Sequence, residues 1–317
     1  MKFGRAHLLF ALMCVIWGAT WVAVKTDLEV MPPCLLAGTR FTVAGALMLP
    51  FLHMRGEIMP IRRQHLPGLA FMIVTMVVLA YALLFWGAKF VSTGLAAILN
   101  LALMPLALLA VGALLGEDRF TPARTVGIAI GGIGLLLLFG PKAMAPGAAT
   151  GGTMELLGGA AIVLCTLIYS VGSVLARPLL RAYPPALLSG ITLFTGGLIL
   201  LAASLVLEPG ATQALRFHWG TAAWISWLFL VFFGSLVAYT TYLHLVHVWG
   251  ASHAGAYAFI SPIVAVFLGV TLRGESVTIT DALGMATMLG GAYLTLRPAP
   301  EVRLRRPGAL PLDPAGA

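Results

Sequence analysis

Arg40 is a positive charge inside an apolar stretch, in the run Ala37-Gly38-Thr39-Arg40-Phe41. A charge at membrane depth is costly, and it usually faces a helix bundle or a watery cavity. An arginine there either binds a ligand carboxylate or serves the scaffold, by snorkelling outward or donating to backbone carbonyls. It stands seven residues past Pro33, about 10 Å along a helix. Trp17, Thr20 and Trp21 share much of one helical face. Tyr81, Tyr239 and Tyr242 lie in later apolar stretches, and Tyr169 stands beside Ser170. Each aromatic is either core or cavity wall. As a set they outline an amphipathic pocket with an apolar body, a few polar handles and little fixed charge. Nothing in it needs a metal or cofactor.

Asn100 and Tyr257 each stand five residues before a proline, Pro105 and Pro262. Each proline removes a helix hydrogen bond and crowds the carbonyl four residues back, at Leu101 and Ala258. Polar backbone freed in this way is tolerated in lipid only where it faces protein or a cavity. The prolines are therefore either a pair of symmetric hinges or static kinks. A buried Asn100 either ties two helices together or meets the ligand.

The elements that hold these residues follow from composition. Of 317 residues, 60% are hydrophobic and 9% charged, and the mean hydropathy is +0.99. Crossing a hydrocarbon core takes roughly 20 apolar residues as helix. Ten such stretches are predicted, over 7–25, 33–53, 66–88, 92–115, 122–140, 155–176, 185–206, 220–246, 252–273 and 279–296. The short alternating segments of a β-barrel are absent. The first stretch continues through Trp21 and Lys25 without a small-residue cleavage site, so it is expected to be a retained helix.

The chain is written twice. An offset of 157 takes Pro105 to Pro262, Asn100 to Tyr257, Gly127 to Gly284 and Gly134 to Gly291. Upstream, an offset of 152 takes Pro32-Pro33 to Pro184-Pro185 and Gly38 to Gly190, and it sets Tyr169 opposite Trp17. Five spans per copy is an odd number, so the second copy enters the membrane from the opposite side. The expected fold is all-α and integral to the membrane, with ten transmembrane helices as two inverted five-helix repeats. The repeats are residues 1–142 and 143–297, followed by a disordered cytoplasmic tail, 298–317. Inverted repeats place a substrate site near the midplane where the halves meet, the arrangement of a transporter. One complete pair suffices for a pathway through a single chain.

With the N-terminus inside, thirteen Lys and Arg fall in inside segments and five outside, with Arg40 in a span. The bias predicts both termini in the cytoplasm of a cell inner membrane. The net charge of +8 thus reports topology, not a nucleic-acid surface; the partners expected are a small molecule and the bilayer. Cys14, Cys34 and Cys165 have no metal spacing. The run Gly127 to Gly134 lies in lipid and follows no strand, so Gly127 and Gly131, like Gly290-Gly291, are expected to be close-packing faces and not a nucleotide loop.

WGATWVAVK in the first span, Pro-Pro followed by AGTRF in the second, and the twin MPLALLAVGALLGE and SPIVAVFLGVTLRGE together resemble the EamA-type drug/metabolite transporter family. The resemblance runs to about residue 297. It implies ten helices, cytoplasmic termini and export of amino acids or other small metabolites, aromatic amino acids among them.

All eleven acidic residues fall in loops, span ends or the tail. No mid-membrane carboxylate is expected to carry a proton or hold sodium, and His244 is the one plausible titrator within a span. Facilitated or exchange-type movement is therefore expected, with proton-coupled efflux the alternative. An intramembrane enzyme would need carboxylate clusters or basic sets for phosphate, and a channel would need polar or charged rings. Neither pattern is present.

Overall fold

The computed structural model describes residues 5–116, 122–144, 152–238, 241–242, 244–245 and 257–296. Every regular element among them is helical. Six helical segments are long and apolar enough to cross a membrane: Arg5–Asp27, Pro33–Met54, Arg63–Ala88, Thr93–Leu114, Thr153–Leu175 and Pro185–Leu207. Thr125–Leu138, Thr221–Val237 and Tyr257–Arg273 are shorter apolar helices. Large side chains such as Leu12, Leu136, Val206 and Phe267 are exposed on the outside of the bundle. In water that surface would be a severe liability; hydrocarbon solvates it.

The helix boundaries have local causes. The first helix, α1, spans Arg5–Asp27 and ends in a turn whose Val30 and Met31 amides donate to the Asp27 carbonyl. Helix α2 (Pro33–Met54) begins at a proline, and so does α10 (Pro185–Leu207), each preceded by a second proline. Proline suits the first helical position because its missing N–H would have no partner there. The duplicated Pro-Pro pairs are thus helix starts.

The third expected span is composite: α3 (Leu66–Met72), a π-helical stretch (Ile73–Leu79) and α4 (Ala80–Ala88). The fourth is divided into α5 (Thr93–Leu101) and α6 (Leu103–Leu114) at Ala102. Pro105 lies in the first turn of α6 and is the physical reason for the break. Pro262, by contrast, sits inside a helix that runs through it. Helices α7 (Pro122–Met144), α8 (Thr153–Leu175) and the short α9 (Arg177–Ala182) follow. After α10 come the one-turn α11 (Ala211–Ala214), α12 (Thr221–Phe229) and a second π-helical stretch, Leu230–Val237. Helices α13 (Tyr257–Arg273), which carries Pro262, and α14 (Ile279–Leu296) complete the described chain.

Backbones approach closely where glycines stand. A methyl group on Gly38 would lie 2.6 Å from the Leu201 nitrogen, and one on Gly197 2.5 Å from that of Thr42, which fixes α2 against α10. On α14, Gly291 faces Gly131 and Gly127 of α7, and Gly134 faces Gly284. The small-residue face expected on α7 is formed. Gly290 corrects its half of the expectation: nothing lies within 4 Å of the position its Cβ would take, so only Gly291 packs. The main core draws on both sequence halves, with Trp21, Phe41, Phe85 and Leu99 against Leu200, Trp227 and Met288.

Two partly buried glutamates close helix ends. Glu208 accepts from the Cys34 and Leu35 amides at 3.0–3.2 Å and from the Ser204 hydroxyl at 2.6 Å, capping α2. Glu275 accepts from the Thr93 amide at 2.9 Å and from the Thr93 hydroxyl, capping α5. Gly274 before it has φ +64°, the left-handed turn that redirects the chain after α13; Gly116, after α6, has φ +74°.

Candidate substrate site

The second π-helical stretch organises the site. Such stretches disturb the regular backbone ladder and recur at functional positions. Here two side chains from other helices converge on consecutive residues. The Trp17 indole N–H donates to the Gly234 carbonyl at 3.3 Å, and Arg40 Nε donates to the Ser235 hydroxyl at 3.2 Å. Gly234 admits both: a Cβ there would lie 3.0 Å from a Thr20 methyl and 3.3 Å from an Arg40 terminal nitrogen. Thr20 returns its own hydroxyl to the Trp17 carbonyl at 2.6 Å, leaving its methyl toward Gly234.

On one side of this point Trp17 packs edge-on against Tyr257, ring centroids 4.3 Å apart, and against Tyr242 at 5.6 Å. Tyr242 and Tyr257 meet each other at 5.7 Å. On the other side the Arg40 guanidinium carbon lies 5.3 Å from the Phe41 ring centroid. Phe41 meets Tyr81 at 4.4 Å, and Tyr81 meets Phe85 at 5.7 Å. Arg40 is 9% exposed. Its Nε is the one nitrogen of the guanidinium with a hydrogen bond among the described residues. A buried guanidinium with donors idle among the described residues, beside the Phe41 ring, is suited to a planar anion such as a carboxylate.

The remaining residues singled out by sequence are more dispersed. Asn100 donates to the Cys165 sulfur at 3.9 Å, joining α5 to α8. Tyr169 is half-buried on α8, next to the buried Ser170. Trp21 is buried in the main core and makes no ring contact with Trp17 or the tyrosines among the described residues. Tyr239 lies outside the described residues. His244 is exposed.

Two features escape a reading of the sequence. Trp219, Trp224 and Trp227 pack against one another in tilted and edge-on arrangements with centroids 4.5–6.0 Å apart. Trp227 then donates to the Thr39 hydroxyl at 3.1 Å, one residue before Arg40. Trp219 also lines a cavity of about 680 Å³ beside the α1–α2 turn, with Leu28, Met31, Pro33, Trp86 and Glu208. Three tryptophans within nine residues were the available signal. The second feature is Asp27, which has no exposed surface at all. The expected first span stops at Lys25, but no glycine or proline interrupts the chain before Pro32, and the helix continues to Asp27.

Comparison with known proteins agrees with this architecture. Residues 4–140 and 156–297 each match the EamA-like transporter family. The uncharacterized inner membrane transporter YedA of Escherichia coli K12 is 29% identical over 289 residues, covering 90% of this chain and 88% of that one. A Salmonella typhimurium protein named as a probable amino-acid metabolite efflux pump is 26% identical over 91% of this chain and 93% of its own length. A crystal structure with 22% sequence identity superposes with a TM-score of 0.62, over 91% of this chain and 95% of that one, which shows a shared fold.

Proposed function

The chain belongs to the EamA-like transporter family, which makes it a multi-pass membrane transporter and not an enzyme; from that premise we propose that it exports small amphipathic metabolites, amino acids foremost. The observation that carries this reading is Arg40, nine-tenths buried beside the Phe41 ring with its terminal donors unengaged among the described residues. Arg40 takes the substrate carboxylate. Trp17, Tyr81, Tyr242 and Tyr257 supply an apolar wall with hydroxyl and indole tips, and Thr20 shapes it. Trp21, Tyr169 and Asn100 border the route from neighbouring turns, and Tyr239 joins the set on its sequence position alone. The name of the Salmonella relative points to the same substrate class.

The machine is ten spans in two inverted halves, 1–142 and 143–297, working by alternating access with both termini in the cytoplasm of the inner membrane. Several regularities support this. The offset of 157 that pairs the prolines also takes Ile73, where the first π-helical stretch begins, to Leu230, where the second begins. Helix α2 packs on its counterpart α10, and α7 on its counterpart α14. Pro105 and Pro262 act as the hinges, with the helix already open at Ala102. Movement is facilitated or exchange-type, down the substrate gradient, through one chain.

Counterflow tests the reading. Proteoliposomes loaded with unlabelled neutral or aromatic amino acids should accumulate labelled tracer saturably and without an ion gradient, and Arg40→Gln should abolish it in folded protein. Absence of counterflow across the panel, or strict dependence on an imposed pH gradient, overturns it.

A further inference from the structure

We infer that Asp27 is the second charged contact of the substrate, accepting from an ammonium group while Arg40 holds the carboxylate, so that the site selects zwitterions over molecules with one charge. This deepens the reading of Arg40 as a substrate-binding cation and rests on it.

Asp27 is fully buried, and neither of its carboxylate oxygens has a hydrogen-bond partner in the structure. Leaving a buried carboxylate without donors is among the costliest arrangements a fold can hold. Two partly buried carboxylates at this end of the bundle provide a comparison within the same molecule. Glu208 and Glu275 serve the scaffold, and each is saturated by backbone amides and a hydroxyl. A scaffold role for Asp27 would leave the same signature, and it does not.

The buried cation to set beside Asp27 is Arg40. Among the described residues no ion pair joins them, and the terminal nitrogens of Arg40 are themselves unengaged. Lys25, two residues before Asp27, turns its ammonium to the Lys89 carbonyl instead, at 3.3 Å. A buried carboxyl group and a buried guanidinium thus both keep idle hydrogen-bonding capacity among the described residues. Position along α1 places Asp27 on the route to Arg40. In one direction Leu28 and Met31, in the turn just after it, line the 680 Å³ cavity. In the other, seven residues and about 10 Å along α1, Thr20 stands against Gly234 beside the guanidinium.

A molecule bearing one carboxylate and one ammonium satisfies both groups and adds no net charge. Its transfer needs no accompanying ion, in keeping with exchange-type movement. A site built to pair both ends rejects an analogue lacking one, because a buried group is then left unpartnered.

The test is ligand-induced thermal stabilisation of the purified full-length protein in detergent. The probes are L-phenylalanine, L-leucine, 3-phenylpropionate, which lacks the amine, and phenethylamine, which lacks the carboxylate. The amino acids should bind at least about tenfold more tightly than either single-charge analogue. In Asp27→Asn, nearly the same shape without the charge, the preference of phenylalanine over 3-phenylpropionate should collapse while 3-phenylpropionate binding is kept. Asp27→Glu, which restores the charge, should recover part of that preference and serves as the reporter if Asp27→Asn does not fold. Folded Asp27→Asn that keeps the wild-type preference overturns the inference and leaves the amino-acid reading standing. So does wild-type protein that binds phenylalanine and 3-phenylpropionate equally. Wild-type protein stabilised by none of the four overturns both.

Discussion

Glu208, Glu275 and Asp27 differ in what they touch, and that difference sets what each substitution should do. Glu275, with 16% of its side chain exposed, stabilises the start of α5 by taking the Thr93 amide and hydroxyl. Glu275→Ala should cost about 1–2 kcal/mol, the range for a lost helix cap, and lower the melting temperature by a few degrees without altering substrate selectivity. Thermal melts in detergent, with and without substrate, check this; an unchanged melting temperature would mean that water replaces the cap at no cost. The same residues show how far sequence carries. Arg40 announces itself as a lone charge in a span. Trp17, Tyr242 and Tyr257 are legible as aromatic types but not as a cluster, since their meeting depends on helices far apart in sequence. Asp27 was hidden by a boundary: a residue assigned to a span end reads as solvated, and two more helical residues bury it.

At the scale of elements, glycine positions decide which helices touch. The stripe on α7 was readable because small residues three to four apart leave a groove. Its partner face on α14 was readable only in part, since adjacent glycines point in different directions and one of the two meets the neighbour. Gly291→Leu should push a side chain into the Gly131 and Gly127 backbone, with no flexible group to yield, at a cost above the about 1–3 kcal/mol of ordinary overpacking. Gly290→Leu, into open space, should be tolerated. Melting temperature and monodispersity in detergent report both; equal behaviour of the pair would refute the α7–α14 contact. The π-helical stretches lay beyond any pattern in composition. They interrupt helices whose residues Ile73–Leu79 and Leu230–Val237 are otherwise ordinary apolar runs, and only the hydrogen-bond geometry separates a π turn from an α turn there.

For the whole molecule, the question is which way each element crosses the membrane. Charge and duplication speak to it independently. The sequence pattern of thirteen Lys and Arg against five predicts one orientation, and the proposed five spans per copy would make the copies antiparallel. The segment around Arg62 and Arg63 should then face the cytoplasm, and the segment around Lys89, one span later, the opposite compartment. The corresponding segments of the second half should reverse this: the turn around Glu208 and Gly210, which lines the cavity at the α1–α2 turn, should lie outside. A fluorescent reporter, active only in the cytoplasm, should light when fused after Arg63 and stay dark after Lys89 or Gly210. An alkaline phosphatase reporter, active only outside, should give the complementary pattern. If fusions after Arg63 and Gly210 report the same side, the halves are parallel. Alternating access about Pro105 and Pro262 would then lose its structural basis.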